Sequence, residues 1–197
     1  RIKKASDLGT LVPLKKSNYA YAVNAQDYNI PALIQGLQDN NLVASTAFKP
    51  FQTKGNLAFP YGSLVIPVAL QSKSSEETYT VLQTLQKQHQ VQIHGLPTGF
   101  STQGVDLGSR NIRPIKKPKV AMIIGEGTRS YEAGEVWHLL DTRVGMPITK
   151  VHQHRFKNLD LEKYNTLVLI SGRYDWEDKM VTKLKKWIEK GNTIVAI

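Results

Sequence analysis

The stretch GEGTRSYEAGEVWHLL, residues 125–140, follows the apolar run VAMII and puts two glycines between a predicted strand and a predicted helix. Loops of this kind hold phosphates in many proteins, because backbone N–H groups and the positive helix end face the anion. Three features oppose that chemistry here. A dinucleotide fingerprint needs a third glycine where Ser130 stands, and the G-K-[ST] of a Walker loop is absent. Glu126, Glu132 and Glu135 crowd the helix start, where they satisfy the helix dipole and repel a phosphate. Against them stands the single cation of Arg129. The loop reads as a structural turn, with a non-phosphate small-molecule or partner site as the alternative.

Other chemistry-bearing residues are scattered. His138 and Asp141 are spaced i, i+3 on the same predicted helix, and HQH puts His152 and His154 on one face of a predicted strand. Such a pair begins a metal site only if a third ligand joins it, and the sequence nominates none. Asp175, Glu177 and Asp178 in RYDWED read as caps of a helix starting near Trp176 rather than as a metal cluster. Ser171 follows a strand, yet LISGRY is not the G-x-S-x-G elbow, and no histidine or acid completes a triad. STQGVDLGSR, residues 101–110, reads as a hydroxyl-rich connector. No catalytic, cofactor-binding or metal-binding residue is assigned.

The elements that must position these groups alternate strand and helix. YAYAV (19–23), LVASTAF (42–48), Leu64–Val68 and VQIHGLP read as strands. Between them lie two helices, YNIPALIQGLQDNN, with Asn29 as its cap, and SSEETYTVLQTLQKQHQ, with serine caps and early glutamates. This alternation predicts a largely parallel α/β layer. The basic, proline-bearing RNIRPIKKPK (110–119) separates an N-terminal subdomain, 1–112, from a second domain, 113–197.

In the second domain KVAMIIG, ITKVHQH, NTLVLISG and TIVAI read as strands. A helical turn is expected around LDLEKY. One helix carries Ala133, Val136, Trp137 and Leu140 as an apolar stripe, and a later one carries Met180, Leu184, Trp187 and Ile188 before stopping at Gly191. A doubly wound sheet of flavodoxin type, in a three-layer α/β architecture, fits this order. It places a crevice at Gly125–Ser130 and Ser171–Trp176.

The chain has 197 residues and a net charge of +10, from 26 basic and 16 acidic residues. The lysines are dispersed and lack interleaved aromatics, so ordinary solvated faces are favoured over a nucleic-acid surface. No apolar run is long enough to span a bilayer. Cysteine is absent, which removes disulfides and thiolate chemistry and is compatible with an oxidising compartment. The stretch reads as a piece of a longer protein.

GVDLGSRNIRPIKKPKVAMIIGEGTRSYEAGEVWHLLDTRVGMPIT resembles the C-terminal region of large bacterial zinc carboxypeptidase family proteins. FPYGSLVIPV (59–68), YNTLVLISG and GNTIVAI extend the resemblance from about Tyr19 onward. The final eighty or so residues also resemble the first half of a class I glutamine-amidotransferase-like domain, whose active members carry a cysteine elbow after a strand like TIVAI. The resemblance implies a periplasmic or secreted protein with its zinc in a peptidase domain upstream of this chain, since no histidine here is followed by glutamate three residues on. That peptidase domain is the expected partner. The chain itself is then an accessory module without cofactor. The alternative is a separate amidotransferase-like unit with a site near 125–130 and 171–176.

Overall fold

A computed structural model describes residues 11–197; the N-terminal RIKK lies outside them. The chain divides into two units, Arg1–Lys116 and Lys117–Ile197. The first contains β1 (Ala20–Val23), α1 (Ile30–Asp39), β2 (Ser45–Ala47), β3 (Phe51–Thr53), β4 (Leu57–Phe59) and β5 (Leu64–Pro67). It continues with α2 (Ser75–His89), β6 (Ile93–Leu96), β7 (Gln103–Gly104) and β8 (Ile112–Pro114). The last of these falls inside the proline-bearing basic stretch and pairs with β2.

The main sheet of this unit runs β6-β1-β5-β2-β8 and every pairing in it is antiparallel, which corrects the expected parallel layer. The strand–helix alternation is nevertheless present. β1 and β2 both pair antiparallel with β5, so they run parallel to each other without touching. β5 and β6 flank β1 in the same way. Two βαβ crossovers are interleaved, as in split βαβ arrangements.

Burial explains why both faces of this sheet hold. Leu33 and Leu37 of α1 and Leu82 and Leu85 of α2 pack on Tyr21, Val23 and Ile66. The opposite face is smaller in residue size, with Ala20, Ala22 and Val65 beneath Phe51 and Phe59. Those two rings stack at 4.8 Å and belong to a small sheet of order β4-β3-β7. α2 begins with a reciprocal capping box between Ser74 and Glu77. Asn29 departs from its expected role: it makes no side-chain cap bond, and its Nδ2 donates to the His89 carbonyl (2.9 Å), tying the start of α1 to the end of α2.

The second unit contains β9 (Val120–Ile124), α3 (Ser130–Trp137), β10 (Ile148–His152), β11 (Thr166–Leu169), α4 (Asp178–Glu189) and β12 (Thr193–Ala196). Its sheet runs β10-β9-β11-β12 and is parallel throughout. Alternate residues divide between two faces. Ala121, Ile123 and Leu167 meet Phe156, Leu184 and Trp187 on one side, and Val120, Met122 and Val168 meet Ala133 and Val136 on the other.

The expected single stripe along 130–145 is corrected. α3 gives way at His138 to a π-helical segment, His138–Val144, which ends at left-handed Gly145. Within α3 itself Ala133 and Val136 pack inward while Trp137 is 41 % exposed, and the change of helical period at His138 ends the regular spacing before Leu140. Lys150 lies over its ring, 3.9 Å from the centroid. No helix among the described residues is long and apolar enough to cross a membrane.

Candidate functional site

The two loops expected to frame a crevice, 125–130 and 171–176, do meet at the C-terminal ends of β9 and β11. They meet as a closed seam. Thr128 and Gly172 form an antiparallel bridge. The Arg129 N–H donates to the Ser171 carbonyl (2.9 Å) and the Arg173 N–H to the Gly127 carbonyl (2.8 Å). Thr128 turns both its N–H (3.0 Å) and its hydroxyl (2.7 Å) onto the Gly125 carbonyl. The Thr128 and Arg129 amides, which a phosphate would recruit, are thus already used.

The glycines follow from this closeness. Gly127 has φ +85°, and a Cβ there would lie 3.0 Å from the Arg173 carbonyl oxygen. At Gly172 a Cβ would come within 2.8 Å of the Gly127 oxygen. Gly125, at φ +103°, leaves room for His152, whose Nδ1 would lie 2.7 Å from an added Cβ. Backbone approach at Gly127 and Gly172, and the His152 ring together with positive φ at Gly125, require glycine at these places.

Glu132 joins the seam from α3. Its Oε2 accepts from the Ser171 N–H (2.8 Å), and Arg129 pairs with its other oxygen (3.4 Å). The hydroxyl and amide of Ser171, with the nearby Arg129 charge, hold the Glu132 carboxyl below its ordinary range. The carboxylate expected to serve only the helix dipole therefore also locks the neighbouring loop.

Gln153 is the residue that sequence reasoning missed. It sits between His152 and His154, and its Nε2 donates to the carbonyls of Glu126 (2.9 Å) and Arg173 (3.1 Å), pinning both loops at once. Its Oε1 is buried without a partner, as is the indole N–H of Trp176. Trp176 itself stacks on Phe156 at 4.3 Å. Both residues line a groove of about 490 Å³ beside the seam, whose rim carries Glu126, His154, Lys157, Arg173 and Glu177. Charges of both signs around two unpaired polar groups suit a small polar or zwitterionic ligand more than a phosphate.

The remaining candidates are dispersed or engaged elsewhere. His152 ends β10 while His154 lies in the following 3-10 turn, so the two do not share a strand face; their rings are 5.5 Å apart. His138 and Asp141 fall in the π-helical segment. Among the described residues no group of three His, Asp or Glu side chains gathers at metal-binding spacing.

Asp175 pairs with Arg173 (2.9 Å) rather than capping α4. Glu177 occupies the cap position without a side-chain bond, and Asp178 falls in the first turn. Ser171 Oγ donates to the Ile197 carbonyl (3.2 Å). In the 101–110 connector Ser101 bonds to Asp106 and Val105 within the loop. No family model matches this chain, and no curated protein matches it.

Proposed function

We infer that the chain is an accessory or structural module of a zinc carboxypeptidase-family protein, with the peptidase domain as its partner in the same polypeptide and a periplasmic or secreted setting. Its second unit reads as the beginning of a flavodoxin-like, glutamine-amidotransferase-like domain, in line with the strand order second-first-third-fourth. The observation that carries the non-catalytic part of this reading is the seam. Backbone bonds from Gly127, Arg129 and Arg173, together with Glu132 and Gln153, occupy the strand ends where such sheets ordinarily offer an open crevice.

The test compares the parent protein with and without the segment equivalent to residues 1–197. Zinc-dependent peptidase activity, solubility and peptide preference are measured for both. Loss of one or more on deletion supports the module; indistinguishable behaviour sinks it.

A second reading, a small-ligand site near 125–130 and 171–176, is favoured by the unpaired Gln153 Oε1 and Trp176 indole N–H beside the 490 Å³ groove. Saturable binding of glutamine to the isolated chain, or its hydrolysis, would establish that reading over the first. Titration followed by tryptophan emission measures the binding, and Trp176→Phe should remove the response if it arises at the groove.

A further inference from the structure

α4 carries lysines at 179, 183 and 186 and is capped by Lys190, and intervals of four, three and four bring them to one side of the helix. That face is one wall of a groove of about 640 Å³; the turn at Leu159–Glu162 is the other. The floor is apolar and fixed. Trp187 and Leu161 are 2 % and 4 % exposed, and the indole N–H of Trp187 donates to the Leu161 carbonyl (2.9 Å).

Two of the lysines set the separation of the walls. Lys183 donates to the carbonyl oxygens of Leu159 (2.5 Å) and Lys157 (3.4 Å), and Lys190 pairs with Glu162 (2.5 Å). The groove's other acid, Asp160, accepts from the Glu162 N–H (3.1 Å). Among the described residues, Lys179 and Lys186 have no carboxylate within ion-pair distance, although both line the groove. The groove therefore holds excess positive charge above an apolar floor.

The row spans about 16 Å, from eleven residues at about 1.5 Å each, so its cations recur roughly every 5–6 Å. Side chains on one side of an extended peptide recur about every 6.6 Å. A helix with its side chains is about 10–12 Å thick and too broad for a groove of this volume. Single-stranded nucleic acid wants aromatic faces on which bases stack, and Trp187 has its ring buried in the floor.

We propose that this groove binds an acidic peptide segment in extended form. Lys179 and Lys186 lie about 10.5 Å apart along the helix, so their flexible stems reach carboxylates two or four positions apart on one side of the peptide. Small intervening side chains let the peptide backbone settle over Leu161 and Trp187. Lys183 and Lys190 keep their contacts with the opposite wall and contribute charge at a distance. Affinity then falls with added salt, because exposed ion pairs are screened.

The test uses the full chain and a fluorescein-labelled octapeptide of alternating glutamate and alanine, followed by fluorescence anisotropy. Saturable binding is expected, weakened at least tenfold in K179E/K186E and by less than twofold in K185E, whose lysine lies outside the groove. Circular dichroism checks that each variant is folded. The neutral pair K179Q/K186Q serves as a second variant and should show a smaller loss of the same sign. Absence of saturable binding overturns the proposal, as does an equal loss in K185E. Tighter binding of a charge-matched oligothymidylate with the same dependence on Lys179 and Lys186 also overturns it, in favour of a nucleic acid.

Discussion

The two units solve the burial of a sheet differently. In the first, helices α1 and α2 cover one face and the β3–β4 hairpin the other, so strand residues such as Tyr21, Ala22, Val23 and Val65 are all fully buried. In the second, α4 buries Leu184 and Trp187, whereas α3 contributes no fully buried residue to the opposite face. Where burial is thin, hydrogen bonds between loops take over. The seam of Gly127, Arg129, Ser171 and Arg173 holds the strand ends next to α3. The first unit is held chiefly by packing on both faces, the second by close packing under α4, thinner packing under α3, and backbone bonding at the strand ends.

Core truncation should divide the units most sharply. All three tryptophans, Trp137, Trp176 and Trp187, belong to the second unit, so their emission reports on it alone, while far-ultraviolet circular dichroism reports on both. Leu33→Ala, at a fully buried site in α1, should cost about 2–5 kcal/mol in the first unit. Phe156→Ala, beneath Trp176, should cost about 3–5 kcal/mol in the second. In urea titrations the first variant should shift the dichroism transition more than the tryptophan transition, and the second should do the reverse. Equal shifts in both signals for both variants would mean that the units unfold together.

A smaller effect tests the seam. Gly172→Ala forces a Cβ to within 2.8 Å of the Gly127 oxygen and 3.0 Å of the Thr128 Cα, both backbone atoms. Overpacking of this sort costs about 1–3 kcal/mol and should appear in the tryptophan transition. Gly134→Ala is the control in the neighbouring helix. Nothing lies within 4 Å of its added Cβ, so it should stabilise the unit by about 0.5–1 kcal/mol through helix entropy. A neutral Gly172→Ala would show that the seam is looser than its distances imply.

The pH response should be the mildest discriminator. Burial pushes the imidazoles of His89 and His94, both in the first unit, below their ordinary value. The unfolded chain then takes up protons first, so this contribution is complete above about pH 6.5 and is lost as pH falls through that value toward the folded pKa. Glu132 in the second unit is a carboxyl held low, so its contribution is present above about pH 4.3 and is lost only below it. Between pH 7 and 5 the dichroism midpoint should drift downward while the tryptophan midpoint holds. His94→Phe should flatten the drift.

Much of the fold is legible from local pattern. Ser74 and Glu77 announce the start of α2, Gly191 with φ +89° ends α4, and the apolar runs VAMII and TLVL lie in β9 and β11. The β3–β4 hairpin is not, because strands of three residues such as Phe51–Thr53 carry too little alternation to stand out. β8 hides between basic residues and prolines. At the candidate site the loops at 125–130 and 171–176 are foreseeable from strand ends. Gln153 is not, since its partners lie 27 and 20 residues away and nothing around it signals a bridging amide.

The amino-acid sequence by itself determines the order of the longer strands and the helices, the alternation that makes βαβ crossovers, and the places where the chain can turn through left-handed glycine. Those properties depend on neighbours within a few residues. Only the tertiary structure decides that the crossovers of the first unit interleave into an antiparallel sheet, and that Gly125 and Gly127 face His152 and a second loop. Strand pairing and backbone approach join residues far apart in the chain, so their outcome is set by which surfaces bury each other best.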